Sequence, residues 1–127
     1  MTLNGSEVVR FNAEEFLQLG LRLVNYEPNE AGYRTAINRV YYACYLIGCE
    51  STDRKGWFTR QYSGQDHAGL WRALKEHNTP WWDKLRTLYE LREDADYHTT
   101  TLVDEKTWVI AKNIANDIFP RLQSIMP

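Results

Sequence analysis

Between residues 30 and 50, Tyr33, Ile37, Val40, Tyr41, Cys44, Ile47 and Gly48 recur three and four apart. That spacing winds onto one side of a helix with about 3.6 residues per turn and cannot serve a strand, whose faces alternate residue by residue. The same period returns elsewhere. Phe16, Leu19, Leu23 and Val24 continue a face to about Tyr26, behind Asn12-Ala13-Glu14-Glu15, which reads as a capping box. Leu70, Trp71 and Leu74 mark a short helix over 66–77, and Trp81, Leu85, Leu88, Arg92 and Ala95 form the stripe of the next. Thr79-Pro80 reads as its N-cap and first helical residue. Asp104 caps a last helix with a face of Trp108, Ala111, Ile114, Ala115, Ile118, Leu122 and Ile125, which Pro120 should kink. Loops are expected over 25–29, 51–65 and 96–103. No segment alternates as a strand does, so the spacing predicts an all-α bundle of four main helices plus one short one.

A chain of 127 residues forms one domain, 1–127, with its helical core over about 12–125. At 43% hydrophobic and 25% charged residues it is neither a disordered tail nor a fibrous repeat. Its longest apolar run, Tyr41 to Cys49, falls short of the roughly 18 residues of a membrane span. The start, Met1 to Glu7, lacks the basic and apolar regions of a secretory signal. Two cysteines, Cys44 and Cys49, in one apolar stretch are too few for a disulfide framework, so a cytoplasmic protein with reduced thiols is expected. A net charge of −2 argues against coating nucleic acid by bulk electrostatics but leaves room for a local basic patch.

Arg92 is the first chemical oddity. A guanidinium on a core-facing stripe costs several kcal/mol unless a partner meets it. It opens the ionisable run Arg92-Glu93-Asp94-Ala95-Asp96-Tyr97-His98. One reading is an arginine paired with a nearby carboxylate; the other is a cation placed for phosphate, with His98 transferring protons. Six residues of ideal helix leave Arg92 and His98 roughly 120° apart, so they converge only if the helix ends near Asp96 or a second copy supplies the opposing half.

Arg92 and His98, with five residues between them, fit the arginine–x(4–6)–histidine signature of HEPN domains. The stretch Arg34-Thr35-Ala36-Ile37-Asn38-Arg39-Val40-Tyr41-Tyr42-Ala43 resembles the second helix of many prokaryotic members. Asp66-His67-Ala68-Gly69-Leu70 is similar to the opening of their third helix, and Leu91 to Tyr97 resembles their arginine–x–x–Ala-Asp-Tyr ending. The resemblance implies a HEPN-like bundle forming a symmetric homodimer. In catalytic members two arginine–histidine pairs face a cleft between protomers and cleave RNA without metal or cofactor, leaving a 2′,3′-cyclic phosphate. Carried to this chain, Arg92 grips the phosphate, His98 is the acid/base, Asn38 orients Arg92 or binds a phosphate oxygen, and Asp96 and Tyr97 support them. Such a protein acts as a toxin or antiviral defence effector, controlled by a separate antitoxin or regulatory protein. Members with the Ala-Asp-Tyr ending but no histidine serve instead as modules binding nucleotide, RNA or a partner protein. Toxins inactivated by modification carry a tyrosine two residues after the histidine; this chain has Thr100 there.

The segment 53–62 alternates the cations Arg54, Lys55 and Arg60 with the rings Trp57, Phe58 and Tyr62. That combination either grips single-stranded RNA by charge and stacking or packs a loop onto its own bundle. Tyr42 and Tyr45 widen the apolar face of the second helix, which includes Tyr41, past half of its circumference, and this places it at the centre of the bundle or against a partner chain. His67 is expected to cap or buttress the third helix, and His77 to be favoured by the dipole at its end. No histidine and cysteine stand at metal-ligand spacing, and the two thiols read as buried and inert.

Overall fold

The computed structural model describes residues 11–125, so the reading of the chain's first residues lies outside it. Five helices follow in order: α1 Glu14–Tyr26, α2 Glu30–Lys55, α3 Gln65–His77, α4 Thr79–Tyr97 and α5 Glu105–Gln123. No strand occurs among the described residues. The helix read as short, α3, has 13 residues, the same as α1. No described helix is long and apolar enough to cross a membrane.

The architecture is organised around α2, which packs against each of the other four helices. Its buried residues, among them Ala36, Ile37, Val40, Tyr41, Ala43, Cys44, Tyr45 and Ile47, cover more than half of its circumference. Tyr41 and Tyr45 are thereby covered by their own bundle, so the ring-rich surface of α2 needs no second chain to explain it. Against α2, helix α1 buries Ala13, Leu17 and Gly20 and leaves Leu19 exposed, one position around from the face the periodicity suggested. Gly20 decides this. A Cβ there would come within 2.8 Å of Val40 and 3.0 Å of the Ala36 carbonyl, so the two helices meet across the glycine.

Several helix ends differ from the sequence reading for local reasons. Helix α2 runs five residues past Glu50 because Thr52 donates its hydroxyl back to the Gly48 carbonyl at 2.7 Å, which keeps a polar residue helical and buried. It stops at Gly56, in the left-handed region at φ 82°, where Trp57 N–H reaches the Thr52 carbonyl and Gly56 N–H reaches that of Asp53. At α4 the cap is Asn78, whose side chain accepts from Trp81 N–H at 3.2 Å, and not Thr79. The Thr79 hydroxyl is committed to the Lys75 carbonyl at 3.1 Å. Asn12 accepts from Glu14 N–H at 3.0 Å, one residue outside the N-cap position that Ala13 occupies. Asp104 caps α5 as expected, accepting from the backbone and hydroxyl of Thr107 at 3.1 and 3.0 Å. Pro120 stands inside α5, which continues to Gln123; Asn116, whose carbonyl the proline leaves without a donor, is exposed.

Candidate functional site

Arg92 lies on the buried side of α4 and is only 8% exposed. Its three nitrogens meet three groups. Nη2 donates to the Tyr42 hydroxyl at 2.8 Å, Nη1 to Glu93 at 2.9 Å, and Nε sits 2.9 Å from Asp96 Oδ2 as an ion pair off the hydrogen-bond direction. The rings of Tyr41, Tyr42, Tyr89 and Tyr97 stand 5.1–5.9 Å from its Cζ. Burial pulls the Arg92 pKa down, while Tyr42, Asp96, Tyr97 and Glu93 pull it up, and the balance is upward. The cation is permanent, enclosed by aromatic faces, and neutralised by two carboxylates of its own chain.

Asn38 reaches this group through Asp96. Its Nδ2 donates to Asp96 Oδ2 at 2.8 Å, while its Oδ1 accepts from Arg39 Nε, also at 2.8 Å. Arg39 in turn lies over the Phe16 ring at 4.7 Å. One line of contacts therefore runs from α1 through Arg39, Asn38 and Asp96 to Arg92, and fixes which way the Asn38 amide faces. Asp96 supports Arg92 directly, and Tyr97 flanks it with a ring that is 64% exposed.

His98 goes elsewhere. Helix α4 continues through Asp96 to Tyr97, and His98 is the residue that leaves it. Its ring Nδ1 is 2.7 Å from Asp94 Oδ1, the residue one turn earlier, and the side chain is half exposed. None of the Arg92 partners is His98, so within one chain the predicted pair is not brought together. The backbone on both sides of His98 is bonded to Arg34. Its guanidinium donates to the carbonyls of Asp94 and Ala95 at 3.0 and 3.1 Å and of Thr101 at 2.5 Å, with longer bonds of 3.4 Å to that of His98. Glu30 accepts from Arg34 at 2.9 Å and from Val103 N–H at 3.1 Å, which pins the far end of the same connection. The backbone bond from Val103, followed by the Arg34 bond, holds the Glu30 carboxyl below its usual range.

His67 braces α3 against α2 rather than capping its own helix. Its Nδ1 is 3.0 Å from the Tyr41 hydroxyl and its ring stacks on Tyr45 at 4.1 Å. Burial first, and then the Arg92 charge, pull its pKa down. Burial pushes the phenols of Tyr41 and Tyr45 up, pushes the Cys44 thiol up, and raises Cys49 to about 12. His77 stacks on Trp57 at 4.1 Å.

The candidate RNA-binding residues are spread over three places. Arg54 and Lys55 are exposed on the last turn of α2, with Arg54 3.9 Å from Glu50. Trp57 turns inward to His77, and Phe58 lies where a side chain on Gly69 would collide at 2.5 Å, so this half of the loop packs on the bundle. Arg60 and Tyr62 stay together, guanidinium over ring at 4.5 Å. Asp66, 1% exposed, fixes them by accepting from the backbone of Gln61 and Tyr62 at 2.7 and 3.0 Å. Tyr62 adopts φ 57° and is 77% exposed. Among the described residues, no group of three or more His, Cys, Asp or Glu side chains is placed to hold a metal ion.

No family model, curated protein or solved structure matches this chain.

The sequence reading missed Asp94, Glu93, Tyr42 and Arg34. The i, i+4 spacing of Asp94 to His98 and of Arg92 to Asp96 was available as a helical pairing signal. Nothing local connects Arg34 to a loop more than 60 residues away, and only the packing of α2 against α4 joins them.

Proposed function

We propose that this chain is a metal-independent endoribonuclease of the HEPN type that works as a homodimer, with His98 as its acid/base. The observation that carries the reading is the Asp94–His98 pair. A carboxylate on Nδ1 fixes the imidazole tautomer and orientation and leaves Nε2 for a proton in transit. In the reaction, His98 takes the proton from a ribose 2′-hydroxyl. The 2′-oxygen attacks phosphorus, and the 5′-oxygen leaves with a proton from water, while the second copy contributes its Arg92 to the same phosphate. The products are a 2′,3′-cyclic phosphate and a 5′-hydroxyl. Arg92 stabilises the charge on the phosphate. Glu93 is the partner it can release, being partly exposed and adjacent in sequence, whereas Asp96 is held by Asn38. Tyr62 offers an open ring to the RNA strand beyond the cleft, over an Arg60 guanidinium that is mostly buried and paired with Asp66 at 3.6 Å. As a toxin or defence effector the enzyme needs a separate inhibitory partner, because Thr100 occupies the place of the tyrosine that modification would silence.

A second reading, a non-catalytic HEPN module that binds nucleotide, RNA or a partner protein, is favoured by one observation. The Arg92 nitrogens are already met by groups of the same chain.

The deciding experiment incubates wild type, His98→Ala and Asp94→Asn with labelled single-stranded RNA in EDTA, after circular dichroism and sizing show each folded and of unchanged assembly. Cleavage to cyclic-phosphate ends that His98→Ala abolishes and Asp94→Asn slows establishes the ribonuclease. No cleavage across several RNAs leaves the binding module, and cleavage surviving His98→Ala removes His98 from the chemistry. Arg92→Ala is a poor probe, since burial makes its loss a folding defect first.

A further inference from the structure

We infer that Arg34 is a positioning residue for His98, setting the place and tilt of the imidazole by clamping the end of α4. The inference rests on the ribonuclease reading of His98 for its consequence but not for its geometry. A helix ends with carbonyls that lack intrahelical donors, and His98 sits on just such an end. Here one guanidinium reaches four carbonyls: those of Asp94 and Ala95 in the last turn, the first of which also accepts the His98 N–H, and those of His98 and Thr101 beyond it. Two of the four belong to the Asp94–His98 unit itself. The Arg34 side chain is mostly buried, and its remaining donors go to Glu30, which also accepts from Val103 N–H. Both ends of the connection 98–103 are thereby tied to the first turns of α2.

The three consecutive threonines that follow His98 are all exposed, and they carry no side-chain contact that could do this work. Without Arg34, the Ala95 carbonyl turns to water, the Asp94 carbonyl keeps only the His98 N–H, and the connection that carries His98 loses its tie to α2. The 2.7 Å contact between Asp94 and His98 then becomes one of several rotamers of an exposed pair. Lysine is not an equivalent, because a single ammonium lacks the planar fork that reaches carbonyls on both sides of the helix end. A displacement of roughly 1 Å at an acid/base group costs on the order of 100-fold in rate.

The test pairs catalysis with a direct view of the ring. Arg34→Gln and Arg34→Lys are compared with wild type by kcat and KM on labelled RNA, and by histidine ring nitrogen spectra that report the His98 tautomer. Arg34→Lys keeps a charge beside Glu30 and so preserves the fold if Arg34→Gln does not. The expected result is a kcat lowered roughly 10- to 100-fold with KM within about twofold, and a His98 ring that reverts to the tautomer mixture of free imidazole. A folded Arg34 variant whose His98 tautomer matches wild type overturns the inference, whatever its rate. Should wild type cleave no RNA, the ribonuclease reading fails, and the ring spectra still decide whether Arg34 positions His98.

Discussion

Replacing Arg92 by methionine and Asp96 by asparagine, singly and together, measures what the buried cation does for the fold. The two charges approach to 2.9 Å, and opposite charges about 4 Å apart at an effective dielectric of 20 attract by about 4 kcal/mol before any cost of desolvation. Arg92 is 8% exposed and the Asp96 side chain about one-fifth exposed, so roughly half of that attraction should survive as coupling, about 2 kcal/mol. Arg92→Met leaves the Asp96 and Glu93 carboxylates facing an uncharged chain among four tyrosine rings, and should cost about 4 kcal/mol. Asp96→Asn keeps an oxygen for Asn38 and leaves Arg92 its bonds to Glu93 and Tyr42, so about 2 kcal/mol is expected. The double variant should then cost about 4 kcal/mol, not the additive 6. Urea unfolding followed by circular dichroism reads these values, since a slope near 2 kcal/mol per molar turns 4 kcal/mol into a midpoint shift of about 2 M. Additive losses, with coupling under about 0.5 kcal/mol, would refute the claim that Asp96 is what stabilises the buried charge.

The cap of α4 gives a second test. Asn78→Ala should destabilise by about 1 kcal/mol, whereas Thr79→Ala, whose hydroxyl serves only the Lys75 carbonyl, should stay within about 0.5 kcal/mol. Equal losses in urea would return the cap to Thr79. His67 supplies a pH signature. Its folded pKa is depressed, so the unfolded chain takes the proton first. Stability on its account is full above its ordinary value near 6.5 and falls as pH drops below that. The urea midpoint should therefore decline from pH 7.5 to pH 5.5 more steeply in wild type than in His67→Phe, and parallel curves would show that His67 carries no such linkage.

Helix number and order were legible because the 3.6-residue period is a one-dimensional signal, and so was the Asp104 cap, which needs only its neighbour Thr107. What sequence could not supply was competition between nearby groups. Thr79 and Asn78 are both good caps, and the Lys75 carbonyl decides between them by taking the threonine hydroxyl. Ser51 and Thr52 look like loop residues until Thr52 bonds back to Gly48. At the site, the expectation that a carboxylate meets Arg92 is realised by Asp96, but the partners from α2 carry no signature in sequence. In sequence Tyr42 belongs to an aromatic surface, Asn38 looks like a direct partner of the arginine or of phosphate, and Arg34 is only part of a family pattern. Each acquires its role from the crossing of α2 and α4.

Residues 92, 94, 96 and 98 carry Arg, Asp, Asp and His, and they interleave two i, i+4 pairs. Two residues of helix turn about 200°, so successive pairs must face nearly opposite ways. Arg92–Asp96 accordingly enters the bundle while Asp94–His98 faces solvent. The same spacing that places both residue types close in sequence keeps them from one phosphate within one chain, and the end of the helix at Tyr97 comes too late to fold His98 back. A ribonuclease built on this pair therefore depends on a second copy to complete each site. Its specific activity should fall as the protein is diluted through the dimer dissociation range, and mixing Arg92→Lys with His98→Ala chains should restore cleavage that neither variant has alone. Activity independent of protein concentration, with no complementation between the two, would exclude a shared site and leave the arginine and the histidine as two unrelated ion pairs on one helix.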